Sequence, residues 1–356
     1  MTHEDSALVN ARTYLSLGKP ADALRALAPH LASNPDDDRG LCLASQAHLS
    51  AGQAAQALGS ARQAIALTPD NEWAWRLVAL AYSKLGNVAE AKAAASTAQA
   101  IAPGLWVTHA QVAQVDIAAK RITGDAVEAA REAVRLAPME PDAHLTVGNV
   151  ALAQQDWAAA EAAFRASLRL QPDHPAARNN LSLVLLRQGR AGSAAAGFID
   201  ILVTDPASEV ALRNLRAVAA VALRRIHFIL WIAFAIVTVA FSGASQPSDS
   251  PVYGLVWQDF LIATAAVSGI FVGVYIVQLR RAAGRRFGRF VRSIPRLDRL
   301  LVVWAVLLVG DYALIVAACF TSVRMAQLLY LVAGAFLVAG SIVVIVRRRR
   351  SVERVV

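Results

Sequence analysis

NEWAWRLVALAYSKLGNVAEAKAAASTAQAIAP, residues 71–103, reads as two short helices broken by the polar turn Leu85-Gly86-Asn87 and closed by Pro103. Proline cannot continue a helix interior but fits the start of the next helix, so it marks a helix–helix boundary. The same proline recurs at Pro35, Pro69, Pro103, Pro138, Pro172 and Pro206, with spacings of 34, 34, 35, 34 and 34 residues. Ahead of each comes an Ala-rich run ending in a short turn, as in ARQAIALTPDN, REAVRLAPMEP and FRASLRLQPDH. A second break recurs midway through each period, as LGKPADA, AGQAAQA, LGNVAEA, ITGDAVEA, QQDWAAA and QGRAGSA. Each period is therefore a helix pair, and residues 1–206 are expected to form an all-α array of about six pairs.

This pattern resembles the tetratricopeptide repeat, a 34-residue helix pair with a large residue early, small residues where the helices cross and a late proline. In the quoted stretch Trp75, Ala79, Tyr82, Gly86, Ala91, Ala98 and Pro103 fall where the family places its signature residues. Ala91, Ala126, Ala160 and Ala194 keep successive crossings small, because two closely packed backbones exclude bulk. The fourth unit departs from the pattern: it carries one extra residue before Asp125 and lacks the early aromatic. Its first helix is expected to be the least sharply bounded.

The resemblance implies a right-handed α-solenoid whose concave face is lined mainly by the first helix of each pair and takes an extended peptide or helix. By the family's register the groove-facing residues are Arg12, Arg39, Gln46, Trp73, Arg76, Gln111, Asn149 and Asn179. Arg, Asn and Gln donors beside Trp73 suit a peptide backbone or a carboxylate, with the ring supplying apolar contact. The alternative for each is an ordinary solvated position. Relatives that clamp the C-terminal carboxylate of chaperones use Lys, Asn and Arg at places where this chain has Leu8, Arg12, Leu43, Trp73 and Leu77, so that clamp is not supported.

From Ala207 to Ser242 there is no Gly or Pro. ASEVALRNLRAVAAVA is polar on one side and apolar on the other; after Arg224 and Arg225 it becomes the uniformly apolar IHFILWIAFAIVTVAF. One helix is expected here, capping the array over 207–225 and entering a bilayer beyond. Apolar segments at 226–242, 255–279, 300–320 and 326–346 each approach or exceed the roughly 20 residues that cross a hydrocarbon core. The domains are thus a soluble array at 1–206, the connecting helix at 207–225, a four-helix transmembrane domain at 226–346 and a basic tail at 347–356.

Charge divides the same way. Residues 1–206 hold 17 Lys+Arg against 20 Asp+Glu, net −3, and residues 207–356 hold 18 against 6, net +12. The overall +9 is a membrane-flank signal and gives no case for nucleic acid as a partner. The connection at 280–299 has eight arginines and the tail after Val346 has five, whereas the opposite side offers Arg324. This bias predicts both termini in the cytoplasm, with Arg-rich segments facing anionic lipid headgroups. The start MTHEDSALVNARTYL lacks the basic and apolar run of a secretory signal, and two cysteines, Cys42 and Cys319, suit a reducing compartment. Heavy use of Ala, and of Arg over Lys, resembles GC-rich bacteria, so a bacterial inner membrane is the expected location.

Within the spans, Asp311 stands mid-segment in VLLVGDYALIV, where a carboxylate is costly unless paired or solvated. Gly269 and Gly273 share one helical face and permit close helix packing, within the bundle or between copies. No phosphate-cradling Gly-Lys-Ser/Thr loop, paired-His motif or cysteine cluster occurs, so no catalytic residue, metal site or cofactor is expected. His48 and His144 fall where the repeat wants a bulky residue. The resulting reading is a non-enzymatic membrane-anchored scaffold that binds protein partners through its solenoid. The alternative is a regulatory or structural subunit of a transporter, channel or export complex, with the four helices as its core; a membrane enzyme without a recognisable motif ranks last.

Overall fold

The computed structural model describes residues 3–242 and 251–353, and all regular structure among them is helical. Twelve helices pair in sequence: α1 His3–Ser16 with α2 Pro20–Ser33, α3 Asp38–Ser50 with α4 Ala54–Leu67, and α5 Glu72–Leu85 with α6 Val88–Ile101. These are followed by α7 Trp106–Ala118 with α8 Gly124–Leu136, α9 Pro141–Ala153 with α10 Trp157–Leu170, and α11 Pro175–Arg187 with α12 Ala191–Thr204. Five further helices follow among the described residues: α13 Glu209–Ser242, α14 Pro251–Ala283, α15 Phe287–Leu297, α16 Arg299–Ala318 and α17 Val323–Glu353.

Every pair turns on a residue in the left-handed region: Gly18, Gly52, Gly86, Lys120, Gln155 and Gly189 have φ of 68°, 77°, 81°, 54°, 62° and 80°. The N–H of this residue bonds to the carbonyl three back and the next N–H to the carbonyl five back, as Gly86 N to Ser83 O (3.3 Å) and Asn87 N to Tyr82 O (2.9 Å). This is the double closure that satisfies the last carbonyls of a helix, and glycine is favoured there for want of a Cβ.

The extra residue of the fourth unit lies after this turn, so α7 is as well defined as the other first helices, contrary to expectation. Thr123 caps α8 three residues beyond Lys120, where Asn87 precedes α6 directly after Gly86. Asp116 holds the longer connection. Its carboxylate accepts from Thr123 N (2.9 Å) and the Thr123 hydroxyl and pairs with Lys92 Nζ at 2.5 Å. Burial by itself raises the carboxyl's pKa, but the bonds from Lys92 and Thr123 outweigh it and hold the group below the ordinary carboxylate range.

Ala23, Ala57, Ala91, Ala126, Ala160 and Ala194 are fully buried where the helices cross, each one repeat after the last. Where a neighbouring position enlarges, its opposite shrinks. Ala61, Ala95 and Ala130 give way to Phe164, and the ring fills the space over Gly148 in α9. Six residues after each of four repeat prolines, a side-chain N–H donates to that proline's carbonyl. Trp75 Nε1 reaches Pro69 O at 2.8 Å, His109 Nε2 reaches Pro103 O at 2.8 Å, His144 Nε2 reaches Pro138 O at 2.9 Å and Arg178 Nη2 reaches Pro172 O at 2.5 Å. A carbonyl only accepts, so both imidazoles carry their proton on Nε2. His109 thereby replaces the missing early aromatic.

The chain divides into two compact units, Met1–Asn180 and Leu181–Val356, with the division inside α11. In the second unit α13 is one unbroken helix of 34 residues, about 51 Å at 1.5 Å per residue. Its first half packs Ala211, Leu215, Val218, Ala219 and Ala222 against Ala194, Ala195, Phe198 and Ile199 of α12. Its second half contributes Leu230 to the same core and Val237 to another, built from Trp257, Leu261, Ile315, Ala318, Tyr330 and Ala333. Four stretches are long and apolar enough to cross a membrane: Glu209–Ala240, Val256–Ser293, Arg299–Ala318 and Arg324–Val346. The expected connection at 280–299 is itself helical: α14 continues to Ala283, a 3-10 turn occupies Gly284–Arg286, and α15 follows. α17 runs past Val346 to Glu353, while the connection at 243–250 and the last tail residues 354–356 lie outside the described residues.

Candidate partner-binding groove

Capping residues shape the first helices' exposed ends. Asp37 caps α3 by accepting from Arg39 N at 3.1 Å, and its second oxygen meets His30 Nε2 at 2.7 Å. Asn71 caps α5 through Ala74 N (3.1 Å) while its amide donates to Asp38 of the preceding repeat at 2.9 Å. His174 reaches Asp142 in the same way three pairs further on, at 2.8 Å. Each cap therefore also fixes the spacing between neighbouring repeats.

The Asn71 cap and its partner Asp38 line a cleft of about 630 Å³ together with Arg12, Arg39, Thr68, Asp70 and Trp73. Three of the residues singled out by register, Arg12, Arg39 and Trp73, thus come together. The two guanidinium groups are exposed and have no ion-pair partner among the described residues; Trp73 is half-buried, packed against both flanking cores. A half-buried ring in one cleft with two guanidinium forks offers an apolar contact beside bidentate anion donors.

The other register residues lie elsewhere. Gln46 is exposed on α3, and Arg76 pairs with Glu72 at 3.5 Å on its own helix. Asn149 accepts from Asn180 at 2.8 Å, and Asn180 in turn accepts from Asn179 at 3.1 Å, a short amide ladder between α9 and α11. Gln111 departs from the groove assignment. It occupies the place of Leu43 and Leu77, is 4% exposed and points into the stack, with its Nε2 unpartnered. It stands where the earlier repeats bury a leucine, and its polar side chain is what made it resemble a groove donor.

Cys42 lies behind the cleft. Its thiol is pushed up to about 12, first by burial and then by the Asp38 and Glu72 carboxylates, which leaves it protonated and a poor nucleophile at neutral pH. Among the described residues no three His, Cys, Asp or Glu side chains are grouped to hold a metal ion.

In the second unit Gly269 and Gly273 do different things. A Cβ at Gly269 would run into the Tyr312 hydroxyl, which donates to Ala265 O at 3.1 Å, whereas Gly273 has nothing within 4 Å. Gly269 therefore serves packing of α14 on α16, and Gly273 lies open. Asp311 is fully buried in α16 and neither carboxylate oxygen has a partner among the described residues. Sequence reading missed a polar network nearer the arginines. Trp304 Nε1 donates to His227 Nδ1 (3.4 Å), His227 Nε2 donates to Ser341 Oγ (3.1 Å), Trp231 Nε1 donates to the same oxygen (3.2 Å), and Ser341 donates to Leu337 O (3.1 Å). Four isolated polar residues spread over three helices leave no local pattern to find.

Comparison with known proteins gives the same outline. Tetratricopeptide-repeat family models match residues 8–72 and 145–209, and a second such model matches residues 48–115. The unmatched stretch contains the extra residue. Among solved structures, the APC/C hetero-tetramer Cut9–Hcn1 is similar over 60% of this chain and 42% of its own, at 17% identity and a TM-score of 0.51. The chain thus spans less than half of that protein, and the likeness concerns the fold alone. PilW, described as a widely conserved type IV pilus biogenesis factor, aligns over 59% of this chain and 97% of its own at 15% identity and a TM-score of 0.47. A thermophilic repeat protein of Thermus thermophilus aligns over 59% of this chain and 96% of its own at 22% identity and a TM-score of 0.38. No curated protein matches the chain.

Proposed function

Since the N-terminal part of this chain is an array of tetratricopeptide repeats followed by four apolar helices, we propose that it is a membrane-anchored scaffold. Its solenoid binds a protein partner and holds it at the membrane. The carrying observation is the cleft at Arg12, Arg39 and Trp73, where two guanidinium groups without an ion pair among the described residues share a cleft with a half-buried ring, in a fold of protein-interaction type. The arginine bias supports a solenoid and both termini in the cytoplasm, at a bacterial inner membrane. The tail arginines share that side. The scaffold reading needs no chemistry from the chain, and no catalytic family matches it.

A photo-crosslinking amino acid at position 73 of the full chain, in native membranes, tests this reading. Adducts formed from 73 and absent from a probe at Glu128 support it; equal yields from both positions overturn the groove assignment. Orientation is read separately, by labelling a cysteine introduced at Ser33 with a membrane-impermeant maleimide, which should require permeabilised cells.

Asp311 favours a second reading, in which the four helices are the working part of a transporter, channel or export complex. An unpaired buried carboxylate in a span is costly unless it serves a purpose. If Asp311→Asn leaves complex assembly intact but removes a proton- or ion-dependent activity, the second reading takes precedence; unchanged activity favours the scaffold.

A further inference from the structure

The second unit carries a charged surface of its own. The apolar part of α14 ends at Leu279, α16 begins at Arg299, and consecutive spans joined by a short connection emerge on one side. The 3-10 turn and α15 therefore lie along a single membrane face. By the same alternation Arg224 and Arg225, where α13 turns apolar, belong to it.

α15 has two faces. Phe290 is buried and Phe287 packs against the same core, while Arg289, Val291 and Arg292 are exposed. A helix with one side seated in protein and an arginine side turned outward at this level is held in the interface plane. Arg286 is neutralised: its Nε donates to Asp200 of α12. Arg280, Arg281, Arg285 and Arg289 are exposed and form no ion pair among the described residues, and Arg292 commits only its Nε, to Gly288 O at 3.2 Å. Free guanidinium forks match the paired oxygens of a phosphodiester. Because the spans fix them at headgroup depth, the phosphates they meet are those of the bilayer.

We propose that the face formed by Arg285, Arg289 and Arg292 binds lipids whose phosphate headgroup carries net negative charge, the chemistry of phosphatidylglycerol. Asp200 competes for the same arginine cluster by holding Arg286. The proposal rests on reading the four apolar helices as spans.

The full chain, reconstituted in phosphatidylcholine bilayers, is tested with trace spin-labelled phosphatidylglycerol or phosphatidylcholine, and the motionally restricted fraction of each is compared. The wild type should prefer phosphatidylglycerol, and the preference should shrink at 1 M salt, where the screening length falls to about 3 Å. Each arginine near an anionic surface is worth roughly fivefold, so Arg285→Gln/Arg289→Gln/Arg292→Gln should reduce the preference by about tenfold or more. Asp200→Asn should act in the opposite direction, raising it by up to about fivefold through release of Arg286. Preference unchanged in both variants, or lost equally on Arg62→Gln/Arg131→Gln/Arg165→Gln in the solenoid, overturns the proposal. Displacement of the labelled lipid by inorganic phosphate beyond the effect of matched sodium chloride also overturns it, in favour of a soluble anion. A chain that alkaline carbonate extracts from the bilayer defeats the span reading and the lipid site with it; insertion without preference defeats the lipid site alone.

Discussion

Gly148→Ala should weaken the fifth repeat although it replaces glycine by the best helix former. In a helix interior that exchange alone favours alanine by about 1 kcal/mol. At 148, however, the new Cβ would collide with Cε1 and Cδ1 of Phe164 and stand 2.9 Å from its Cζ. Ordinary carbon contacts lie at about 3.5–4.0 Å, and Phe164 is 0% exposed, so the ring has no solvent side to retreat to. Overpacking of this kind costs roughly 1–3 kcal/mol, and an approach this close belongs at the upper end. The net effect is a loss of about 1–2 kcal/mol.

Hydrogen exchange by mass spectrometry on the full chain is the assay, because a repeat array does not unfold as one two-state body. Amides of α9 and α10 should exchange about five- to thirtyfold faster. Gly59→Ala is the control: it sits inside α4 with nothing within 4 Å of its Cβ, and should slow exchange there. In a Phe164→Ala background, itself costing about 3–5 kcal/mol, Gly148→Ala should change sign and stabilise. Slower exchange in the single variant, or no reversal in the double, refutes the argument.

Four further outcomes are expected. Lys120→Gly and Gln155→Gly relieve a side chain from the left-handed region and should each raise the thermal midpoint, by up to about 1 kcal/mol of stability; a fall would mean the turns are not strained. Cys42 should resist an aromatic disulfide at pH 8 in the native chain and react only on unfolding, since burial pushes its thiol to about 12; modification within minutes, mapped to Cys42, contradicts this. Asp116 has a lower pKa folded than unfolded, so it adds stability above the unfolded value of about 3.9 that drains away as pH falls below it. Asp116→Asn should flatten that decline in the thermal midpoint, and an unaltered slope places its origin elsewhere. Arg224 and Arg225 lie inside the continuous α13, so trypsin should spare them in intact membranes while cutting there in the denatured chain; ready cleavage in membranes argues for a break.

The repeat prolines announced the helix pairs because proline's geometry acts within a few residues of itself, and the apolar segments announced the long helices because composition alone sets hydrophobic length. What escaped was made of contacts between distant residues. Gly148 looks like a poor helix residue until Phe164, sixteen positions on, is found over it. Trp75, His109, His144 and Arg178 share no chemistry in a sequence beyond a side-chain N–H, so the bond they each send to a proline carbonyl left no trace as a motif. Gln111 was misplaced for a related reason: a polar side chain at the place of Leu43 and Leu77 looks like a groove donor until its burial in the stack is seen. At the cleft, Arg12, Arg39 and Trp73 were within reach of sequence because each occupies a repeat position whose direction is fixed by the helix pair.

α12 sets a direction for how such a chain can lengthen. Its sides are taken by α13, α14, the 3-10 turn and α15, and at Gly192 the approach of α14 is so close that a Cβ would stand 2.8 Å from Leu279 O. A duplicated 34-residue unit inserted after α12 would have to pry that helix from four neighbours at once. The array is therefore sealed behind α12, so that copies of this architecture should keep the α12–α15 junction constant whatever their repeat number.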